Sequence, residues 1–321
     1  MLSLPDFREK QVLFVRAERG TDQNLRFLND NIVFSRDGKV VNRASCHRVF
    51  AVFVVGDLTV TSGLLREAGR HGVSLFFLKQ NLETYATVNA GVEGHVVLRS
   101  RQYAAAAEQD LADARFLVAN KIANQCVLLK ERGMAEGLLP EREAVLASVM
   151  TAKDAATLRG IEGIASKRFF REYYRSLEWR RRGPRTKEDV PNLLLDVGYS
   201  LLFHLTDSLL RLHGFDTYRG FYHTLFFQRQ SLSCDLMEPM RCLVDRALLK
   251  MHNLKQVRED DFEVVDGHYL LPWKNSARYT EIFLESLMEK KEESYLYLHD
   301  YYRHVLSAGD LPMPTFSPFL C

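Results

Sequence analysis

The 321-residue sequence contains no uninterrupted run of about 18 apolar residues, the length that a membrane-spanning helix needs. It has no secretory signal pattern at its start, because Asp6 precedes any apolar run. Its odd number of cysteines and the absence of a CxxC pair argue against a disulfide framework and against a cysteine-based zinc site. We therefore predict a cytoplasmic protein with reduced thiols and no membrane partner. The cysteines are Cys46, Cys126, Cys234, Cys242 and Cys321.

The net charge of +2 gives no sign of a nucleic-acid partner, but the distribution of charge does. The stretch 167–187 holds nine basic residues against two acidic ones. Such a run is usually a solvated helix face, yet its position shortly after Glu162 and its arginine triplet favour phosphate binding. The basic residues are Lys167, Arg168, Arg171, Arg175, Arg180, Arg181, Arg182, Arg185 and Lys187.

Hydrophobic patterning predicts an α+β protein, with a β-rich N-terminal domain followed by a larger all-α domain. Runs of β-branched and aromatic residues at 12–15, 32–34 and 49–55 predict strands, and Asp37-Gly38 predicts a hairpin turn. From residue 101 the apolar period becomes helical. The predicted domains are 1–99, which would serve dimerisation or DNA contact, and 100–310, with a flexible proline-containing tail at 311–321.

The stretch Leu158–Ala165 places Glu162 among glycines in an otherwise helical segment. Each glycine inside a helix costs about 1 kcal/mol relative to alanine. Gly160 and Gly163 therefore predict close approach of a metal ion, a phosphate or a neighbouring helix. The apolar neighbours Ile161 and Ile164 predict that Glu162 lies near the buried side, although most helical glutamates are simply exposed.

Two later segments could supply further ligands. His223 ends the glycine-led turn 220–223, where a core histidine is the commoner outcome. Asp235 and Glu238 are three residues apart, a spacing that fits a capping box or two carboxylates on one helix face. A set of carboxylates with one imidazole suits Mg²⁺ or Mn²⁺. Spacing alone leaves open whether these residues meet.

Three motifs resemble those of the CRISPR-associated spacer-acquisition integrase family. They are Leu158–Gly163, Gly220–His223 and Ser231–Arg241. Further similar segments extend the resemblance over nearly the whole chain. Two positions depart from the pattern of many members, since Tyr222 replaces Leu and Met240 replaces Phe, but neither removes a ligand. The further segments are Lys121–Gln125, Asn192–Leu202, Gly56, Thr61-Ser62 and Gly72–Leu78.

The resemblance implies a catalytic divalent metal held by Glu162, His223 and Glu238, with Asp235 as a neighbouring or alternative ligand. It implies transesterification, in which the 3′-hydroxyl of a short DNA fragment attacks a phosphodiester at the edge of a CRISPR repeat. The implied partners are double-stranded DNA, a second copy of the chain and, usually, a small ferredoxin-like adaptation protein. The basic residues that we expect to contact DNA are Lys167, Arg168, Arg171, Arg180, Arg181 and Arg182.

Two alternative functions remain. A general metal-dependent DNA or RNA nuclease would use the same residues, with water in place of the DNA 3′-hydroxyl as the attacking group. A non-catalytic nucleic-acid scaffold would keep the basic run and would not need Glu162. Convergence of the three predicted ligands in space is the observation that separates the enzymes from the scaffold.

Overall fold

The computed structural model describes residues 4–18, 20–79, 84–90, 95–134, 138–177, 179–223 and 228–319. The chain forms two compact units. The first comprises Met1–His95 and Asp207–Phe215, and the second comprises Val96–Thr206 and Asp216–Cys321. Strands dominate the first unit and helices the second, so the predicted α+β class is confirmed.

The first unit contains two four-stranded sheets. One has the order β1-β5-β7-β8, in which β1, β5 and β7 are parallel and β8 is antiparallel to β7. The other has the order β4-β3-β2-β6. The elements are α1 (Leu4–Arg8), β1 (Gln11–Arg16), β2 (Gln23–Leu28), β3 (Asn31–Arg36), β4 (Lys39–Ser45), β5 (Val49–Val55), β6 (Thr59–Val60), α2 (Ser62–Arg70), β7 (Ser74–Leu78) and β8 (Thr84–Val88).

Local sequence explains the main features of this unit. Every residue of β5 is buried, because its continuous apolar run fits a strand with parallel neighbours on both sides. The predicted hairpin turn is confirmed, since Arg36 pairs with Lys39 across it. Asp37 and Gly38 both adopt positive φ angles, +48° and +74°, as a tight two-residue turn requires.

In its described residues, the second unit is helical apart from one small hairpin. This hairpin was not predicted, because its strands are short and largely exposed and show no apolar alternation. The last residues of α7 are grouped with the first unit. The elements are α3 (Val96–Ala104), α4 (Ala107–Glu131), α5 (Arg142–Met150), α6 (Ala155–Tyr173), α7 (Val190–His213), α8 (Ser231–Leu236), α9 (Arg241–Asn253), β9 (Glu263–Val265), β10 (His268–Leu270), α10 (Trp273–Glu289) and α11 (Lys291–Leu306).

Helix α7 is long and apolar enough, by length and composition alone, to cross a membrane. Its most apolar 18-residue window has a mean hydropathy of 1.3, and 83% of that window is buried inside the protein. A core helix has this combination of properties, so α7 gives only weak evidence for a membrane span.

The C-terminal tail is held in place as far as residue 319. The backbone N–H of Phe316 donates to Oδ1 of Asn120 at 2.8 Å, and the Phe316 carbonyl accepts from Asn120 and Asn124, each at 2.9 Å. Phe316 itself is 1% exposed. One buried aromatic side chain and two asparagines thus attach the described part of the tail to the helical unit, and the flexibility of 311–321 stays a prediction.

Candidate active site

Lys121 lies at the centre of a buried charged cluster in the second unit. It is on α4, and its side chain is only 12% exposed. Its ammonium forms ion pairs with Oε1 of Glu162 and, at 2.7 Å, with Oε2 of Glu238. Burial alone would lower the pKa of Lys121, but the two carboxylates outweigh burial and raise it. A single cation thus brings two of the predicted ligands together.

Glu162 lies on α6 with its side chain 15% exposed. Its second oxygen, Oε2, accepts a hydrogen bond from the Tyr222 hydroxyl. Burial, together with the Glu162 charge, raises the pKa of Tyr222, so this phenol stays a donor. The expected position near the buried side is found, although the argument from Ile164 fails because that side chain is 61% exposed.

The two glycines near Glu162 do not mark a packed contact. A Cβ atom added at Gly160 or Gly163 would meet no atom within 4 Å among the described residues. The predicted neighbouring helix is therefore absent from this face of α6 in the described chain. Both positions are exposed, which leaves the backbone open to an external partner.

Glu238 lies in the turn between α8 and α9 with its side chain 3% exposed. Arg241 pairs with its Oε1 at 2.9 Å, opposite the Lys121 contact. Burial alone would raise the pKa of Glu238, but Arg241 and Lys121 outweigh it and lower the pKa to about 2. Asn124 fixes the same turn by donating to the Pro239 carbonyl at 2.9 Å. Glu238 is therefore held as a carboxylate.

Asp235 organises the loop that carries His223. Its Oδ2 accepts from the backbone N–H groups of Phe221 and Tyr222, at 2.7 and 3.0 Å. Its Oδ1 accepts from the backbone N–H of His223 at 2.8 Å and lies 2.6 Å from Nδ1 of the same residue. A Cβ at Gly220 would lie 2.6 Å from Oδ2, so only glycine permits this approach. Both oxygens of Asp235 are thus engaged in positioning the loop.

The capping-box interpretation of Asp235 and Glu238 is wrong. Asp235 lies inside α8 rather than before a helix, and the residue preceding α9 is Met240, which makes no side-chain cap. The i, i+3 spacing instead directs one carboxylate to the His223 loop and the other to Lys121.

A second buried carboxylate lies close to this cluster. Oδ1 of Asp245 on α9 accepts from the hydroxyls of Tyr199 at 2.7 Å and Tyr174 at 3.1 Å. Burial raises the pKa of Asp245 to about 6, and the two phenols and Arg241 oppose the rise. A cavity of about 240 Å³ adjoins Asp245, Tyr199, Arg241 and Glu238.

The three predicted ligands, Glu162, His223 and Glu238, lie farther apart than the ligands of a closed metal site. We searched the described residues for three or more His, Cys, Asp or Glu side chains whose ligand atoms all lie within 4.8 Å of one another. The group found consists of Cys46, His47 and His71. Glu162 and Glu238 are separated by the Lys121 ammonium, and the His223 charge helps to lower the pKa of Glu238. The predicted ligands thus share one region, and their assignment as ligands stays a prediction.

The basic run does not form one helix face. Helix α6 ends at Tyr173, and the arginine triplet follows in an irregular segment. Arg180 and Arg181 are exposed, and Arg181 pairs with Glu188 at 3.2 Å. On α6, Lys167 and Arg171 are exposed, whereas Arg168, half-buried, pairs with Glu141.

Arg182 differs from its two neighbours because its side chain is 12% exposed. It pairs with Asp196, donates to Oδ1 of Asn192 at 2.9 Å, and lies 5.6 Å from the centroid of the Tyr199 ring. These contacts bind the irregular segment to α7. The arginine triplet is therefore two exposed cations followed by one structural cation.

Lys121, Tyr222 and Arg241 were not predicted as site residues. For Lys121 a signal was present, because it lies four residues from both Leu117 and Gln125, on the buried face of α4. A lysine on a buried face must have a counterion. Arg241 also had a signal, since it follows Glu238 by three residues. Tyr222 had none, because its partner Glu162 is 60 residues away in sequence.

Residues 19–285 match the family model described as CRISPR associated protein Cas1. A relative from Rhodospirillum rubrum, "CRISPR-associated endonuclease Cas1 2", is 32% identical over 299 residues, which cover 86% of each chain. The structure is similar to a casposase bound to integration product (TM-score 0.81, 18% identity, 97% of this chain and 96% of that chain). It is also similar to a chain of a Cas6-RT-Cas1--Cas2 complex (TM-score 0.79, 21% identity, 98% and 36%). At these identities the two structures show a shared fold.

Proposed function

Because the chain belongs to the CRISPR-associated protein Cas1 family, we propose that it is a nuclease and integrase of CRISPR adaptation. Its reaction is a transesterification, in which a DNA 3′-hydroxyl attacks a phosphodiester at the edge of a repeat. The observation that carries this proposal is the pair of carboxylates, Glu162 and Glu238, gathered around one buried cation.

The residues of the cluster fit a divalent metal ion. The Lys121 ammonium lies 2.7 Å from Oε2 of Glu238 and also pairs with Oε1 of Glu162, so the space between the two carboxylates already accommodates a positive charge. Glu162, His223 and Glu238 would hold Mg²⁺ or Mn²⁺, which supplies polarisation of the phosphate and stabilisation of the leaving 3′-oxygen.

The protein residues prepare this set of ligands. Asp235 engages Nδ1 of His223, so Nε2 is the nitrogen left for a ligand, as in other sites where a carboxylate orients a histidine. Arg241 and Lys121 keep Glu238 ionised at neutral pH. Tyr222 holds one oxygen of Glu162, and Lys121 holds the other. Metal binding would release the ammonium from between the carboxylates.

Double-stranded DNA is the proposed substrate, and the exposed part of the basic run is its proposed contact. Lys167, Arg171, Arg180 and Arg181 present charge to solvent close to Glu162 in sequence. Phosphate contacts of this kind release counterions, so binding would weaken steeply with salt. Arg182 is left out of this set because its guanidinium is engaged inside the protein.

We further propose that the chain acts as a homodimer joined by a small ferredoxin-like adaptation protein. The support is the likeness to a chain from a complex that contains Cas2. Size-exclusion chromatography with light scattering would measure the mass of the chain alone and with that partner. A monomer in both conditions would contradict this part of the proposal.

The experiment that tests the function compares Glu162→Gln with the wild type in strand transfer of a labelled DNA fragment into a repeat-containing plasmid. The substitution keeps the shape and removes the charge, so transfer should be lost while DNA binding persists. Glu143→Gln is the matched control, because Glu143 is exposed on the neighbouring helix α5. Undiminished transfer by folded Glu162→Gln would contradict the assignment.

The same assay separates integration from general nuclease activity. A fragment that ends in a 3′-deoxy sugar lacks the attacking hydroxyl, so it should not join the plasmid. Hydrolysis by water would continue with that fragment. Equal cleavage with both fragments and no joined product would favour the nuclease alternative.

A further inference from the structure

A second group of candidate ligands lies in the β-rich unit. The ligand atoms of Cys46, His47 and His71 all lie within 4.8 Å of one another. Cys46 is 1% exposed, His71 is half-buried and His47 is exposed, so the group runs from the core to the surface. The sequence argued against a cysteine-based zinc site because it contains no CxxC pair. His71 follows Cys46 by 25 residues (71 − 46), and only the fold brings it near.

Fixed backbone positions present all three side chains. Cys46 and His47 lie in a 3₁₀ turn, Cys46–Arg48, between β4 and β5, and the Cys46 N–H donates to the Asp30 carbonyl at 3.0 Å. His71 directly follows α2, and its N–H continues the helical hydrogen bonding to the Glu67 carbonyl. The turn and the helix end therefore approach each other as two ordered elements of one unit.

The imidazole rings are also oriented by packing. The His71 ring stacks on Phe27, with centroids 5.9 Å apart and planes at 23°. The His47 ring meets the His71 ring edge-on, with centroids 4.8 Å apart and planes at 86°. The two rings are therefore in contact without stacking, and their ligand atoms lie within 4.8 Å of each other and of the Cys46 sulfur.

We propose that Cys46, His47 and His71 bind one zinc ion. Thiolate and imidazole groups are the usual protein ligands of zinc, and a set of three protein ligands leaves a fourth position for water. A thiolate ligand favours zinc over Mg²⁺ and Mn²⁺, so this site would select a different ion from the carboxylate cluster. The ion would join the β4–β5 turn to the end of α2 and stabilise the β-rich unit.

Cobalt substitution of the whole protein provides the test. The chain is stripped with a chelator, returned to buffer and titrated with Co²⁺ in the presence of excess Mg²⁺. We expect one Co²⁺ per chain with a sulfur-to-cobalt charge-transfer band and intense visible bands of a tetrahedral ion, all removed by one equivalent of Zn²⁺. Weak octahedral bands without the sulfur band would overturn the proposal.

Variants locate the ion. Cys46→Ser should abolish the sulfur band, and His71→Ala should weaken Co²⁺ affinity by at least about 10–100-fold, the cost of losing even an outer partner of a metal ligand. Cys234→Ser and His252→Ala are matched controls, because the Cys234 thiol is free and His252 is exposed. An unchanged band in Cys46→Ser, or its loss in Cys234→Ser, would overturn the assignment.

Two further readouts keep the test independent of folding and of the proposed function. Circular dichroism of metal-free Cys46→Ser should match that of the metal-free wild type, and Zn²⁺ should raise the melting temperature of the wild type only. Zn²⁺ stabilisation of both proteins would contradict the site. Glu162→Gln should keep the sulfur band, so loss of integrase chemistry and loss of zinc binding are separable results.

Discussion

The helical unit contains two charged regions, one buried around Glu238 and one largely exposed in the basic run after Glu162. Around Glu238 the charges are buried, and each faces an opposite charge at short range. In the basic run after Glu162, most of the cations are exposed. A buried ion pair stabilises little in itself, but losing one partner leaves a desolvated charge, whereas an exposed pair can lose a partner at little cost. Burial, rather than charge, therefore separates the residues that shape the candidate site from those that we propose supply affinity for DNA.

Arg182 sharpens this contrast because it belongs to the basic run in sequence and to the buried class in environment. It pairs with Asp196 and contacts Asn192, while Arg180 and Arg181 point to solvent. Three consecutive arginines thus divide into two roles. Neutralising all three together would mix a loss of DNA affinity with a loss of stability.

The largest effect is expected for Glu238→Gln. Removing this carboxylate leaves Lys121 and Arg241 without their shared counterion, which should lower the free energy of unfolding by about 3–5 kcal/mol. Strand transfer should also be lost. Chemical denaturation and the transfer assay measure the two effects. Glu188→Gln removes the partner of the exposed Arg181 and should leave the melting temperature nearly unchanged. Equal losses of stability in Glu238→Gln and Glu188→Gln would contradict the distinction between buried and exposed charges.

The pH dependence of stability tests the burial of Asp245 near the same cluster. Its folded pKa of about 6 lies above the ordinary value of 3.8. Between these two pH values, the folded protein therefore binds a proton at Asp245 that the unfolded protein has lost. Wild-type stability should therefore fall as pH rises from about 4 to about 6, by about 3 kcal/mol from this group. Asp245→Asn cannot titrate, so its stability relative to wild type should rise across this window. A constant difference from pH 4 to pH 7 would contradict the buried-acid assignment.

Arg182→Ala should destabilise the protein where its neighbour does not. Losing the charged hydrogen bonds to Asp196 and Asn192 should cost roughly 1.5–3 kcal/mol. Arg180→Ala, the matched control in the same segment, should melt like the wild type because Arg180 is exposed. Thermal or denaturant unfolding of both variants measures the difference. Identical unfolding curves would mean that the Arg182 contacts do not stabilise the fold.

The smallest effect is expected for Arg180→Ala combined with Arg181→Ala. The fold should be unchanged, and the slope of log binding constant against log salt should become shallower by about one unit for each lost phosphate contact. Fluorescence anisotropy with duplex DNA at several salt concentrations measures the slope. An unchanged slope would mean that these two arginines form a solvated face with no role in DNA binding.

The sequence predicted those parts of the fold that depend on local pattern. The buried strand β5, the Asp37-Gly38 turn and the helical character of the chain after residue 101 follow from apolar period and turn chemistry. The contact between the tail and Asn120 could not be predicted in this way, because the two partners are 196 residues apart and such a contact produces no periodic pattern in the sequence. The hairpin of β9 and β10 was missed because its strands are too short and exposed to alternate.

The sequence predicted the motifs that carry the candidate site residues but not the contacts that these residues make. Glu162, His223 and Glu238 come from three segments, and spacing gave no means of deciding what each one contacts. Asp235 illustrates the limit, since its i, i+3 relation to Glu238 fits a capping box as well as it fits the observed hold on the His223 loop. Pairing across the fold, rather than spacing along the chain, determines the role of each carboxylate.

We propose that a divalent metal at Glu162, His223 and Glu238 acts on the phosphate during transesterification. Transesterification is reversible, so a branched DNA that mimics an integration product tests the chemistry without a repeat sequence or a partner protein. In this substrate, sulfur replaces one non-bridging oxygen of the branch phosphate, and the rate of strand rejoining is measured in Mg²⁺ and in Mn²⁺. Sulfur is a poor ligand for Mg²⁺ and a better one for the softer Mn²⁺.

We expect slow rejoining of the sulfur substrate in Mg²⁺, recovery in Mn²⁺, and no product from Glu162→Gln in either metal. Equal rates for the oxygen and sulfur substrates in Mg²⁺, for both sulfur diastereomers, would contradict a metal contact with the reacting phosphate.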